Sequence, residues 1–325
     1  MLLSQLENQH ILIIGDIMID RYLSGNVTRI SPEAPVPVVH FQQTFDRLGG
    51  AANVALNIKA LGSTPLLCSV VGNDEDGRIF CNMLTELNIS NEGIVIDPSR
   101  ISTVKTRIVG NHQQMLRIDR ENTFDLDDLT AKKILEKSNF LMKKYNIGAV
   151  ILQDYNKGVL TLSVIQEIIA MAKKRGVPVA VDPKKHHFFA YKGVTLFKPN
   201  LKEVKDSVPF LVDSNLDTLH KASSYLKEQL QNQWTMITLS EKGLFLDAQE
   251  TEQGQIYPTT PRNIADVSGA GDTVISIAAL GLAAGITPAE IAVLSNLAGG
   301  QVCERQGVVP VDKDLLNKEL EEYYA

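Results

Sequence analysis

Ile11-Leu12-Ile13-Ile14-Gly15, near the start of the 325-residue chain, is apolar without a polar break. An unbroken run of this length marks a strand covered on both faces, because a half-exposed strand alternates polar and apolar residues. Similar short runs occur at 66–71, 149–152, 177–181, 195–197 and 236–239. Longer amphipathic stretches lie between them and predict helices over 51–61, 77–87, 126–145, 162–174, 215–231, 270–284 and 288–305, with a charged helix over 315–324. Buried strands alternating with helices predict an α/β fold built on a doubly wound, mostly parallel sheet.

Two stretches break this rhythm. Residues 22–43 hold Pro32, Pro35 and Pro37 and then alternate through Val36-Pro37-Val38-Val39-His40-Phe41. Residues 102–120 alternate as in Val104-Lys105-Thr106-Arg107-Ile108 and Met115-Leu116-Arg117-Ile118-Asp119. Both read as half-exposed antiparallel ribbon rather than central sheet. The expectation is one domain over 1–325, with a small β-stranded lid formed by about 20–45 and 101–120 inserted in it.

Hydrophobic residues make up 44% of the chain, charged residues 22%, and the formal net charge is −6. That balance lacks the basic stripe of a nucleic-acid binder. The N-terminus has no signal-peptide pattern, and the run from Ile11 is too short to span a bilayer, so no membrane role is expected. Cys68, Cys81 and Cys303 form no CxxC pair, which predicts neither a disulfide framework nor a zinc site. A cytoplasmic, reducing compartment follows.

Chemistry is concentrated in Asp266-Val267-Ser268-Gly269-Ala270-Gly271-Asp272-Thr273, a Gly-rich turn opening an apolar helix. Such a turn leaves backbone N–H groups free to hold phosphoryl oxygens at the positive end of the helix dipole. Asp272, at the helix start, is placed to take a proton from a hydroxyl beside that phosphate. A second reading, a tight turn with a dipole-stabilised carboxylate, fits the same residues. The pattern is neither a Walker A loop nor a Rossmann fingerprint.

This segment resembles the C-terminal signature of the ribokinase-like (PfkB) sugar kinases. Gly49-Gly50-Ala51-Ala52-Asn53-Val54-Ala55, followed by Leu61-Gly62, resembles their N-terminal signature. The resemblance runs from about Ile11 to Gly307, with Ser268 where the family usually has Thr. It implies a ribokinase-like fold and ATP-dependent phosphorylation of a sugar, with Asp272 as base and Gly269, Ala270 and Gly271 forming the anion hole. It implies sugar contacts from Asp16, Asp20, Gly49, Gly50 and Asn53. It places Asn200, Ser240, Gly243, Gly271 and Asn296 at the nucleotide, and Glu203 at Mg²⁺ through water. Asn200 and Glu203 equally fit a helix capping box. Asp266 and Ser268 match positions near a monovalent-cation (K⁺) site in several relatives.

Within the family, Asp16-Ile17-Met18-Ile19-Asp20-Arg21-Tyr22 and the segment from Arg29 to Val38 are similar to the D-glycero-D-manno-heptose-7-phosphate kinases. Further matches are Thr103 to Arg107, Asn111-His112-Gln113-Gln114, Arg117-Ile118-Asp119, Asp154-Tyr155-Asn156-Lys157-Gly158 and Asp182-Pro183-Lys184. The subgroup's Ser-Asp-Tyr-Ala-Lys-Gly appears here with Gln153 and Asn156. This resemblance implies phosphorylation of the anomeric hydroxyl of the 7-phosphate sugar, in lipopolysaccharide precursor synthesis, and a homodimer through the lid. Lys105 and Arg107 share a ribbon face by their spacing, with Arg117 on a neighbouring strand. These three are candidate phosphate ligands; Lys157 and Lys184, which follow candidate strands at the carboxyl ends where open α/β sheets bind ligands, and Asp154 are further candidate substrate contacts. Alternatives are another PfkB sugar or nucleoside kinase, or a non-catalytic sugar sensor. Many members of the subgroup carry a second, nucleotidyltransferase domain with an H-x-G-H motif. No such motif is present, as expected for a kinase-only protein or an excised kinase half. His186-His187 reads as a solvated loop, and Trp234 as packing.

Overall fold

The computed structural model describes residues 2–111, 113–248, 254–260 and 262–325. His112, in one of the matched stretches, lies outside them. The chain begins with β1 (His10–Gly15), β2 (Ile17–Ile30), β3 (Pro37–Gly50), α1 (Ala51–Ala60), β4 (Thr64–Gly72), α2 (Glu75–Glu86) and β5 (Ile94–Asp97). It continues through β6 (Val104–Gly110), β7 (Gln113–Arg120), α3 (Asp128–Lys144), β8 (Ile147–Gln153), α4 (Leu162–Lys174), β9 (Val179–Asp182) and β10 (Leu196–Phe197). Then come α5 (Leu201–Ser207), α6 (Leu216–Leu230), β11 (Trp234–Thr238), β12 (Leu244–Asp247), β13 (Gln255–Tyr257), α7 (Ala270–Ala284), α8 (Pro288–Cys303) and α9 (Lys313–Tyr324).

The main sheet has the order β13-β12-β11-β10-β9-β8-β1-β4-β5. It is parallel from β5 to β11, and only β12 and β13 are added antiparallel. The apolar run from Ile11 explains why β1 sits centrally. Ile11 and Ile13 enter the core under α1, α2, α7, α8 and α9, while Leu12 and Ile14 enter the opposite core under α3, α4 and α6. Each fully buried Leu or Ile contributes about 1.5–3 kcal/mol of transfer free energy, so no polar residue is tolerated at these positions. Helix α7 is apolar nearly all round and is accordingly buried from Asp272 to Gly281. Asp74, Asp127, Thr161, Asn215 and Thr287 cap their helices by accepting from backbone N–H groups. Among the described residues no helix is long and apolar enough to cross a membrane.

The two alternating stretches form a separate four-stranded sheet of order β3-β2-β6-β7. Its strands at 17–50 extend beyond the sequence expectation at both ends. The reason is that Ile17, Ile19 and Leu48 run down into the main core. A second difference is that β2 and β6 pair parallel, from Ile19↔Val104 to Gly25↔Gly110, whereas β2–β3 and β6–β7 are antiparallel. Strands β5, β12 and β13 were not foreseen. Each is only three or four residues long, too short to show a period.

Candidate active site

In an open α/β sheet, ligands collect where the chain reverses direction across the strand order, at the carboxyl ends of the strands. Here β1 lies between β4 and β8, so that point falls just beyond Gly15 and Gln153. Asp16, Gln153, Asp182 and Lys198 all sit at or just past strand ends on this edge. Helix α7 points its N-terminus at them: an added Cβ on Gly271 would lie 3.7 Å from both Asp182 Oδ2 and Lys198 Nζ. The turn before it needs Gly269, whose φ of +86° lies in the left-handed region.

Asp272 is 3% exposed, and three donors hold its carboxylate. The Asn53 amide of α1 donates to Oδ2 at 2.8 Å. Tyr155 O–H and the Gln153 amide donate to Oδ1 at 2.7 and 3.0 Å. Burial pushes the Asp272 carboxyl up to about 6, against the Asn53 and Tyr155 hydrogen bonds that favour the charge. A carboxylate poised there is ionised at neutral pH yet basic enough to accept a proton. The same Gln153 amide also donates to Asp182 at 3.2 Å.

Asp182, Lys184, Lys198 and Glu203 form the next group. Lys198 lies 3.0 Å from Asp182, and Lys184 lies 2.5 Å from Glu203 and 3.7 Å from Asp182. Burial opposes the Asp182 charge, but Lys198 and Lys184 together hold its pKa below the ordinary carboxylate value. For Lys184, burial is likewise outweighed by Asp182 and Glu203, and its pKa is raised. Asn200 and Glu203 make the reciprocal capping box of α5, each 2.8 Å from the other's backbone N–H.

On the other side of the Gly271 turn lies a cavity of about 690 Å³, lined among others by Ser240, Gly243, Arg262, Ala270, Gly271 and Asn296. Asn296 is held by its amide donating to Tyr257 O at 2.7 Å. Arg262 is held by Glu304 and Glu319 at 3.0 and 2.7 Å. Asp266 pins the loop before the turn, accepting from Ser268 N at 2.9 Å and Gly307 N at 3.0 Å. Burial opposes its charge, but these bonds leave its pKa lowered.

The four-stranded sheet presents one face to the site. Register places Asp20 beside Lys105, Tyr22 beside Arg107, Arg107 beside Arg117 and Lys105 beside Asp119, so these side chains share that face. Asp20 pairs with Arg107 and approaches Gly49 so closely that a Cβ there would collide with its carboxylate. Gly50 joins β3 to α1.

Several of the expected site residues are already engaged within the protein. Asp16 is one of them. It is 1% exposed and accepts the backbone N–H of Tyr155, Lys157 and Val159 at 2.8–3.0 Å. Burial, with Asp154 adding, raises its pKa to about 6. Asp154 is likewise internal, accepting from Tyr191 O–H at 2.7 Å and Asn156 N at 2.8 Å. Asn200 caps α5 and does not line the large cavity. The cation cluster is interleaved with acids: Lys105 lies 3.5 Å from Asp119, Lys157 lies 2.7 Å from Glu121, and half-exposed Arg117 lies 2.9 Å from Asp119. In an acidic chain, cations gathered on one face attract carboxylates to it.

Sequence reasoning missed Gln153, Tyr155, Asp182 and Lys198 as site residues. Their shared signal was position. Each follows or ends a buried apolar run, where α/β sheets place ligands.

The profile of the pfkB family carbohydrate kinases matches residues 8–314. "Bifunctional protein HldE" of Magnetococcus marinus is 41% identical over 306 residues, covering 94% of this chain but 62% of that relative's length. Escherichia coli phosphofructokinase-2 in complex with potassium superposes with a TM-score of 0.79 at 18% identity, covering 98% of this chain and 100% of its own. The same enzyme in complex with fructose-6-phosphate gives 0.78 at 17% identity, with the same coverage.

Proposed function

Because the chain belongs to the pfkB family of carbohydrate kinases, we propose that it phosphorylates the anomeric hydroxyl of D-glycero-D-manno-heptose 7-phosphate at the expense of ATP. The observation that carries the reading is the position of Asp272. Gly271, its neighbour, lines the nucleotide-sized cavity, while its own carboxylate meets Asn53 and Tyr155 on the other side of the turn.

In this reading the sugar lies between Asp272 and the four-stranded sheet, which acts as a lid. Asp20, Asn53 and the Gly49–Gly50 backbone hold its hydroxyls. Asp272 takes the hydroxyl proton as the oxygen attacks the γ-phosphorus, and the bond to the ADP oxygen breaks. Backbone N–H groups of Gly269, Ala270 and Gly271 receive the charge on the phosphoryl oxygens. Lys198, 2% exposed and aimed at this turn, adds a fixed positive charge. Asp182 and Glu203 flank Lys184 with hard oxygen donors, a set that suits Mg²⁺, which takes one or two carboxylates and keeps its waters. When bound, that ion would neutralise phosphate charge. The loop pinned by Asp266 and Ser268 is the candidate K⁺ position.

The 7-phosphate would be received by Lys105, Arg107 and Arg117, displacing their carboxylate partners. The opposite lid face exposes Leu116 and Ile118 by 55% and 50%, which supports a homodimer through the lid. The product would feed lipopolysaccharide precursor synthesis in the cytosol, where the cysteines stay free.

Charge-assisted bonds to a phosphate are each worth about 1.5–3 kcal/mol. Arg107→Ala is therefore expected to raise KM for the phosphosugar roughly 10- to 100-fold while leaving KM for ATP unchanged. Steady-state kinetics with the heptose and its 7-phosphate decide the matter. Equal kcat/KM on the two sugars would make this a kinase of neutral sugars.

The pH profile tests the base. With Asp272 near 6, kcat/KM is expected to fall about tenfold per unit below pH 6 instead of below pH 4. The Tyr155 hydrogen bond lowers this pKa, so Tyr155→Phe should move the acid limb to higher pH. A limb near pH 4 that ignores Tyr155→Phe would remove Asp272 from the role.

A further inference from the structure

Away from the phosphoryl-transfer residues, His186 and His187 in the turn after β9 meet Asp125 from the segment between β7 and α3. Their ligand atoms all lie within 4.8 Å of one another. We propose that these three residues bind a divalent transition-metal ion of the Zn²⁺ class, at a site separate from the nucleotide's Mg²⁺.

Three observations carry this. His187 Nε2 is buried and has no hydrogen-bond partner, an unfavourable state for an imidazole nitrogen unless something else occupies it. It stands 3.6 Å from Asp125 Oδ2, beyond hydrogen-bond reach. That separation suits a shared ion: two ligands each about 2.0–2.2 Å from one tetrahedral centre stand roughly 3.4 Å apart. Finally, Asn156 Oδ1 is also buried without a partner and lines the same cavity of about 250 Å³ as the two histidines and Asp125. It adds an amide oxygen, from a third segment, to the polar lining of that cavity. The set of two imidazoles and a carboxylate favours Zn²⁺, Co²⁺ or Ni²⁺ over Mg²⁺ or Ca²⁺. Lys157 also lines the cavity, but its ammonium is taken by Glu121 at 2.7 Å, so it does not repel the ion.

The ion would tie the segments at 125 and 186–187 across the loop at 154–158. That loop carries Tyr155, whose hydroxyl meets Asp272 and whose backbone meets Asp16. Metal binding would stiffen the loop without taking part in phosphoryl transfer, and the inference stands whether or not the sugar is a heptose phosphate.

The test is titration of the full chain with Co²⁺ in the absence of nucleotide, followed by visible absorption, with Zn²⁺ competition and a melting curve. One equivalent is expected, with a d–d band displaced by Zn²⁺ and a raised Tm. His187→Ala should abolish the band. Asp125→Asn should weaken binding by at least the roughly 10–100-fold that even outer-shell changes cost. Glu203→Gln, at the nucleotide's metal, should leave the band in place. No bound Co²⁺ in wild type, a band that survives His187→Ala in folded protein, or one lost with Glu203→Gln overturns the proposal.

Discussion

Asp272→Asn is expected to lower kcat by about 10²–10⁴, the usual contribution of a general base, or about 3–5 kcal/mol of transition-state stabilisation. The amide keeps the shape of the carboxylate but cannot accept the hydroxyl proton. Binding of sugar and nucleotide should persist, because the turn at Gly269 and the cavity lining are untouched. Stability should not fall. The folded-state pKa near 6 lies above the ordinary 3.8, so the native protein holds this proton more tightly than the unfolded chain. The stability associated with that proton is complete below about pH 4 and lost as pH rises through 6. At pH 8 wild type therefore bears the full cost of a buried charge, which the Asn variant escapes. The Tyr155 hydroxyl, 2.7 Å from this carboxylate, can rotate to accept from the new amide. Melting curves at pH 8 and kinetics at saturating substrates check both halves. A variant turning over within a few-fold of wild type would end the assignment of Asp272 as base.

Gly271→Val is expected to lower kcat/KM for ATP by about 10²–10³, the cost of losing one preorganised donor to a developing oxyanion. The structure separates this from a folding defect. Gly271 has no positive φ, and a Cβ there would make only ordinary contacts at 3.7 Å with Asp182 and Lys198. The branched side chain instead occupies the space between the turn and the Asp182–Lys198 pair, beside the backbone donors proposed to hold the phosphoryl group. The Tm should stay within a few degrees of wild type. Gly269→Ala provides the contrast: at φ +86°, with a Cβ 2.8 Å from the Asn53 amide, it should lose stability as well as activity. If Gly271→Val melts as early as Gly269→Ala, the glycine is structural and the anion hole must be sought elsewhere.

The doubly wound sheet, most helices and the Gly269–Asp272 turn were legible in the sequence because each is set by neighbours along the chain. Strands buried on both faces must be apolar throughout, helices must repeat their apolar residues every three or four positions, and a left-handed turn selects glycine. Which polar side chains would converge was decided only by the tertiary structure. Asn53, Gln153 and Tyr155 reach Asp272 across 219, 119 and 117 residues of chain, separations over which no periodicity carries information. Asp16 and Asp20 are four residues apart and chemically identical. One faces backbone N–H groups of the 155–159 loop, and the other faces Arg107 and Gly49. The cations of the four-stranded sheet were visible as charges, but their pairing with Asp20, Asp119 and Glu121 was not. The strength of a charge pair depends on distance and burial in three dimensions, and both are fixed only when the parallel pairing of β2 with β6 brings the two strand pairs together.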